Sequence, residues 1–234
     1  MILGRISALF RYPVKSMAAE QMQSADVGWQ GISGDRRWAF VRGGMEQSGF
    51  PWLTIREQPL MAQYVPRFTD ADLPDSSRTM VSSPAGIDYD VTDPGLAKEL
   101  GFDSHVIRQS RGIFDAFPLS AISTGTIDSI AGTVGDHLDQ RRFRPNVVIE
   151  FAAGEPFAED ALVGREIRFG SVSVRFDKRD KRCVAINVDP VTSTRNPAVL
   201  RAVAQERQAC LGVYASIVHP GFMSVDDPVV LVRS

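Results

Sequence analysis

Cysteine, histidine and long apolar runs are scarce in this sequence, and each shortage closes off a class of protein. Two cysteines, Cys183 and Cys210, in 234 residues are too few for a disulfide framework, a four-cysteine zinc site or an iron–sulfur cluster. The three histidines, His105, His137 and His219, are scattered without metal-ligand spacing, so a classical zinc enzyme is not expected. No uninterrupted apolar stretch is long enough to span a bilayer. Arg5 and Arg11 interrupt the N-terminus before the apolar core of an export signal develops. These two shortages together lead to the expectation of a cytoplasmic protein without a membrane partner. A surplus of one charge is also missing: 26 Lys and Arg stand against 28 Asp and Glu, a net charge of -2. Nothing in that balance points to nucleic acid.

What is present is an ordinary globular composition, 44% apolar and 23% charged, which excludes a disordered or fibrous chain. Its length suits one large or two small domains. Short strand signals recur at Ile2–Phe10, Arg37–Val41, Trp52–Ile55 and Val147–Phe151. Val172, Val174 and Phe176 alternate with Ser171, Ser173 and Arg175, the mark of a half-buried strand. Three short helices are signalled: Asp93-Pro94 through Gly101, Ser123 through Gly135, and the segment opened by Asn196-Pro197. Pro66–Pro84 is polar and reads as a surface excursion. Arg111–Leu119 has little regular pattern and reads as the crossing between two halves. The sum predicts a mostly β (α+β) chain, a barrel or pair of barrels with a few short helices.

Chemistry concentrates in four places. Around Cys183, Lys178, Arg179, Lys181 and Arg182 form a dense basic run; cations beside a thiol favour the thiolate, the form that binds a soft metal. The same cations attract a phosphate. The competing reading is a partly buried cysteine behind a solvated turn. Lys15-Ser16 follows a proline-broken strand and reads either as an oxyanion contact or as a plain turn. Arg36 is offered to a ligand as a fork or is held by Asp35. Ser123, Thr124 and Thr126 crowd a helix start, which makes either an anion site or ordinary capping. Arg141, Arg142, Arg144 and Asn146 stand at the mouth of a buried strand, more polarity than solubility needs.

Tyr12-Pro13-Val14-Lys15-Ser16, Gly34-Asp35-Arg36-Arg37, Arg142-Phe143-Arg144-Pro145-Asn146 and Arg182-Cys183 with Val188-Asp189-Pro190 occur in the order found in the MOSC family. The chain resembles its two-part members, which include the mitochondrial amidoxime-reducing components. The resemblance implies an N-terminal MOSC β-barrel domain over residues 1–112 and the MOSC domain over 113–234. It also implies a molybdenum cofactor (molybdopterin) in a cleft between them. Cys183 matches the family's molybdenum ligand. Lys15, Ser16 and Arg36 match residues on the pterin and its phosphate, and Arg144, Asn146 and Arg182, with Ser123 and Thr126, match cofactor contacts from the other side. The activity implied is two-electron reduction of N-hydroxylated small molecules, amidoximes and hydroxylamines, fed by a separate electron-donor protein. Lys181 departs from the small polar residue that better-known reductases carry at that position. The alternative is a carrier of the cofactor, or of sulfur on Cys183, without turnover of its own. A pyridoxal-phosphate enzyme built on Lys15 is a weaker alternative, since no sequence context favours a Schiff base there.

Overall fold

The computed structural model describes residues 1–232. In chain order the strands of the first part are β1 (Ile2–Arg11), β2 (Glu20–Met22), β3 (Ser24–Gly28), β4 (Gly31–Ile32), β5 (Trp38–Val41), β6 (Val65–Phe68), β7 (Thr79–Ser82) and β8 (Asp88–Asp90). Helix α1 (Pro94–Leu100) and β9 (His105–Arg108) follow, then β10 (Leu119–Ser123), α2 (Thr124–Val134) and β11 (Val147–Phe151). The chain continues with β12 (Glu166–Phe169), β13 (Val172–Lys181), α3 (Pro197–Arg207), β14 (Cys210–His219), β15 (Gly221–Ser224) and β16 (Pro228–Leu231).

Seven of these strands close a barrel in the order β11, β10, β14, β13, β12, β16, β1, with β1 pairing back onto β11. Closure removes the open edges a sheet would otherwise expose. The architecture is the mostly β class the strand signals predict, with three short helices. Strand β1 comes from the opposite end of the chain from its barrel partner β16, so the N-terminal segment is part of the barrel wall.

Both faces of the wall are covered, which explains the near-continuous apolar run of β11. Val147 and Ile149 point into the barrel with Ile6, Phe169, Val174 and Phe176, whereas Val148 points out against Ile127, Ile130, Val199 and Val203 of α2 and α3. A register shift between Ile6 and Ala8 puts both Ile6 and Leu9 inside although they are three residues apart. A third apolar cluster joins Phe40, Leu53, Met61, Tyr64, Val81, Leu96 and Leu100 under the smaller sheets of the first part.

The helices follow their caps. Asp93 accepts from the Gly95 N–H to open α1, and Asn196 accepts from Ala198 N–H to open α3. Gly135, in the left-handed region at φ 72°, ends α2. Two expectations need correction. Trp52–Ile55 is not a strand: only Trp52 bridges to Val41, and the ladder partner of β5 is β9, residues 105–108. Leu53 and Ile55 are apolar because they plug the third cluster. Pro66–Pro84 is not wholly an irregular excursion, since β6 and β7 pair across it, and Asp75 at its tip folds back to accept from the Gly34 N–H at 3.1 Å.

Candidate functional site

Pro13 ends β1, because it cannot donate to the ladder, and the chain turns across β5 with Lys15 N–H donating to the Trp38 carbonyl at 2.8 Å. Ser16 then takes a left-handed conformation at φ 68°. On the adjoining loop Arg36 does the same at φ 50°, and across the cleft Arg144 does so at φ 51°. Left-handed backbone costs a residue with a Cβ about 1–2 kcal/mol. Three of the residues singled out from sequence therefore sit in strained backbone, a pattern that clusters at binding sites.

Beneath them lies Asp35, fully buried, which accepts from Tyr12 N–H at 2.8 Å, from the Arg36 guanidinium at 2.5 Å and from the Asn146 amide at 3.2 Å. Asn146 also donates to the Phe10 carbonyl and accepts from Ser120 N–H. Its amide is occupied by protein, so Asn146 fixes Asp35 and Arg36 in place and offers no free donor to a ligand. The Tyr12 ring lies 4.5 Å from the Arg36 guanidinium and 4.3 Å from that of Arg144. Burial pushes the Tyr12 phenol up to about 12 against the pull of both arginines, so it stays neutral.

Arg144 donates to the Met17 carbonyl at 2.8 Å through Nη1, but its buried Nη2 has no hydrogen-bond partner. Burial, with repulsion from Arg36 added, holds its guanidinium below the usual arginine range. Burial likewise pushes the Lys15 ammonium down, with Arg36 and Arg144 adding repulsion and Asp115 opposing them. Cations that repel each other in a buried wall mark a place prepared for an anion.

Cys183 is exposed at the end of β13, at the start of a 3₁₀ turn over Val184–Asn187. Arg142 pins that turn by donating to the carbonyls of Ile186 and Asn187 and to Asp189 at 2.7 Å. Arg182 reaches the carbonyls of Leu211 and Phe143 and pairs with Asp180 at 2.9 Å. The basic run does not gather around the sulfur as its density in sequence suggests. Arg179 pairs with Asp160 at 2.9 Å, and Lys178 lies over the rings of Phe117 and Tyr214. Of the basic run, only Lys181 and Arg182, at and just past the end of β13, line the same cleft as Cys183.

That cleft is open, with about 810 Å³ of empty space including solvent at its mouth. It brings together Lys15, Ser16, Arg36, Arg144, Asn146, Arg182 and Cys183 from distant parts of the chain. Lys15, Arg36, Arg56, Arg142, Arg144, Lys181 and Arg182 make seven cationic groups there against two acidic ones, Asp115 and Asp180. The chain as a whole carries a net charge of -2, so the cleft concentrates positive charge against the global balance. Among the lining residues that the sequence did not single out are Arg56, Phe114, Asp115, Phe117, Asp180 and Tyr214. Phe114, Asp115 and Phe117 come from the patternless crossing, where no periodicity signals a role. Asp180 and Tyr214 sit on barrel strands, and burial raises the pKa of each.

Ser123 and Thr126 are withdrawn from the ligand set. Both are buried away from the cleft. Ser123 Oγ caps Thr126 N–H at 3.2 Å, while Glu159 accepts from Ser123 N–H and Thr126 Oγ1 at 3.1 Å each. The helix start is saturated by the protein itself.

The remaining residues suit a phosphate-bearing ligand that brings its own metal. Among the described residues no cluster of His, Cys, Asp and Glu forms a cation cage. The cleft offers one exposed soft sulfur, Cys183, beside buried Nη2 atoms of Arg144 and Arg182 that lack partners. A thiol supplies one bond to a soft metal, and unpartnered guanidinium N–H groups suit phosphate oxygens.

Comparison with known proteins agrees with this layout. Residues 3–93 match the MOSC N-terminal beta barrel domain and residues 108–230 match the MOSC domain. The chain is 27% identical over 247 aligned positions to the molybdenum cofactor sulfurase of Drosophila grimshawi, covering 88% of this chain and 31% of that protein. It thus spans about a third of the curated relative. The YUAD protein of Bacillus subtilis superposes with a TM-score of 0.54 at 15% identity, over 97% of this chain and 93% of that one. With both family models matched along nearly its whole length, the chain belongs to the MOSC family.

Proposed function

We propose that the cleft binds the molybdenum cofactor, with Cys183 as a metal ligand, and that the loaded protein reduces N-hydroxylated compounds such as amidoximes and hydroxylamines. The observation that carries the reading is the exposed Cys183 thiol sharing one cleft with unpartnered, buried guanidinium nitrogens. A molybdenum cofactor relationship is also supported by family membership and by the relative named a molybdenum cofactor sulfurase. When bound, the cofactor supplies two-electron reduction, with the N–OH oxygen leaving as water.

The chain's own residues supply binding and orientation. Lys15, Arg36 and Arg144 hold the phosphate, and Arg36 is kept in place by Asp35 and Asn146. Arg182 and Arg142 fix the turn that presents Cys183. Phe114 and Phe117 wall the cleft where a small organic substrate approaches. Electrons come from a separate donor protein.

A cofactor or sulfur carrier is the second reading, favoured by the chain's match to about a third of a sulfurase. The two separate in one assay. Protein purified with molybdenum should reduce an aryl amidoxime with reduced viologen as donor. Loaded protein that shows no turnover but hands its cofactor to a cofactor-free molybdoenzyme would replace the reductase by the carrier.

A further inference from the structure

The cationic cleft already contains an anion of its own. Lys15 is buried, and its ammonium donates to Asp115 Oδ1 at 2.5 Å and to the Ile113 carbonyl at 3.0 Å. Asp115 belongs to the irregular crossing between β9 and β10, and its side chain remains 55% exposed while that of Lys15 is 7% exposed. Lys15, Arg36 and Arg56 all attract the carboxylate.

From this asymmetry we infer that Asp115 is a resident competitor for the anion site and lowers its affinity for every anion that enters. The inference rests on the reading of the cleft as a phosphate site and assigns the residue that an incoming anion must displace. An arriving anion must take Lys15 from Asp115. The carboxylate then swings into water at little cost, because it is already half exposed and sits on a chain segment without ladder hydrogen bonds. Lys15 cannot be left bare, because it is buried. A monoanion therefore exchanges one charge for one charge and gains only what Arg144 adds. A dianion replaces the carboxylate at Lys15 and keeps a second charge for the unpartnered Nη2 of Arg144. Displacing Asp115 costs a monoanion and a dianion about the same, so the competitor weakens every anion alike, and the dianion's advantage comes from Arg144.

The test uses full-length cofactor-free protein, with sulfate and nitrate as probes and isothermal titration as the readout. Wild type should bind sulfate more tightly than nitrate. Asp115→Asn, which keeps the shape of the side chain, should bind nitrate and sulfate each about fivefold more tightly, equivalent to about 1 kcal/mol of competition removed. Asp115→Ala should repeat this, with thermal unfolding confirming that both variants fold. Unchanged nitrate and sulfate affinity in both folded variants, or no binding of either anion by any variant, would overturn the inference. Molybdenum content separates its failure from failure of the cofactor reading. Metal retained while the anion arms fail sinks only the competitor, and anion arms that succeed in a protein that takes up no molybdenum sink only the cofactor.

Discussion

Two polar clusters in this chain look alike as sequence and differ completely as structure. Ser123-Thr124-x-Thr126 at the start of α2 and Lys15-Ser16 with Arg36 and Arg144 around the cleft both read as anion sites or as ordinary local polarity. At α2 the donors of Ser123 and Thr126 are answered from within: Glu159 takes the Ser123 N–H and the Thr126 hydroxyl, and Thr126 Oγ1 accepts from Phe157 N–H at 2.7 Å. At the cleft Asp35, the Met17 carbonyl and Asp115 hold Arg36, Arg144 and Lys15, and the Nη2 atoms of Arg144 and Arg182 remain without partners. The lesson is that residue type does not distinguish a site from a cap. What distinguishes them is whether the protein has left hydrogen-bonding capacity unspent.

The contrast can be broken from either side. Glu159→Leu should have the largest effect on the fold, since it strands two buried donors at α2. It should destabilise the protein by about 2–4 kcal/mol, read by urea unfolding, while leaving sulfate affinity at the cleft unchanged. A parallel loss of anion binding would show that the two clusters are coupled after all.

Arg144→Met should do the converse. Removing a charge-assisted contact should weaken sulfate binding by roughly 10–100-fold, about 1.5–3 kcal/mol. The fold should lose little or even gain, because a buried guanidinium with an unpartnered nitrogen is replaced by an apolar chain. A stable variant with full anion affinity would move the site away from Arg144.

The smallest effect is a shift in pH dependence. Burial lowers the Lys15 pKa below its ordinary 10.5 in the folded protein, so the ammonium is fully present only below that lowered value. Anion affinity should therefore begin to fall with rising pH before the ordinary lysine range is reached. For the fold the sign is the opposite. The unfolded chain binds the extra proton in the window between the lowered pKa and 10.5, so stability contributed by this group rises with pH there. Lys15→Arg should carry anion binding to higher pH, measured as sulfate-induced rise in Tm across an alkaline series. An identical pH profile in both proteins would mean that Lys15 does not carry the dependence.

Much of the barrel was legible because its strands announce themselves as an apolar run where both faces are covered, as at Val147–Phe151, or as alternation where one face is, as at Val172–Phe176. Helix ends were legible because Asp93, Ser123, Asn196 and Gly135 are caps whose chemistry is local. Trp52–Ile55 misled because plugging a core from a loop requires the same apolar residues as a strand. The site was half legible. Cys183, Lys15, Arg36 and Arg144 carry chemistry that stands out from its surroundings, and the shared motif order tied them together. Asp115, Phe117 and Tyr214 did not stand out, since their roles come from three-dimensional neighbours on separate elements. Nor could the dispersal of the basic run be read directly: Arg179 and Arg182 are drawn to different carboxylates, Asp160 and Asp180.

The proposed site stands or falls most directly on whether the Cys183 sulfur holds molybdenum. Wild type and Cys183→Ala, produced side by side in a host that makes the cofactor, should be compared for molybdenum and pterin by elemental and fluorescence analysis. Near-stoichiometric metal in wild type, lost in a folded Cys183→Ala, is the result predicted here. Equal molybdenum in both proteins, or none in either after incubation with free cofactor, would contradict it.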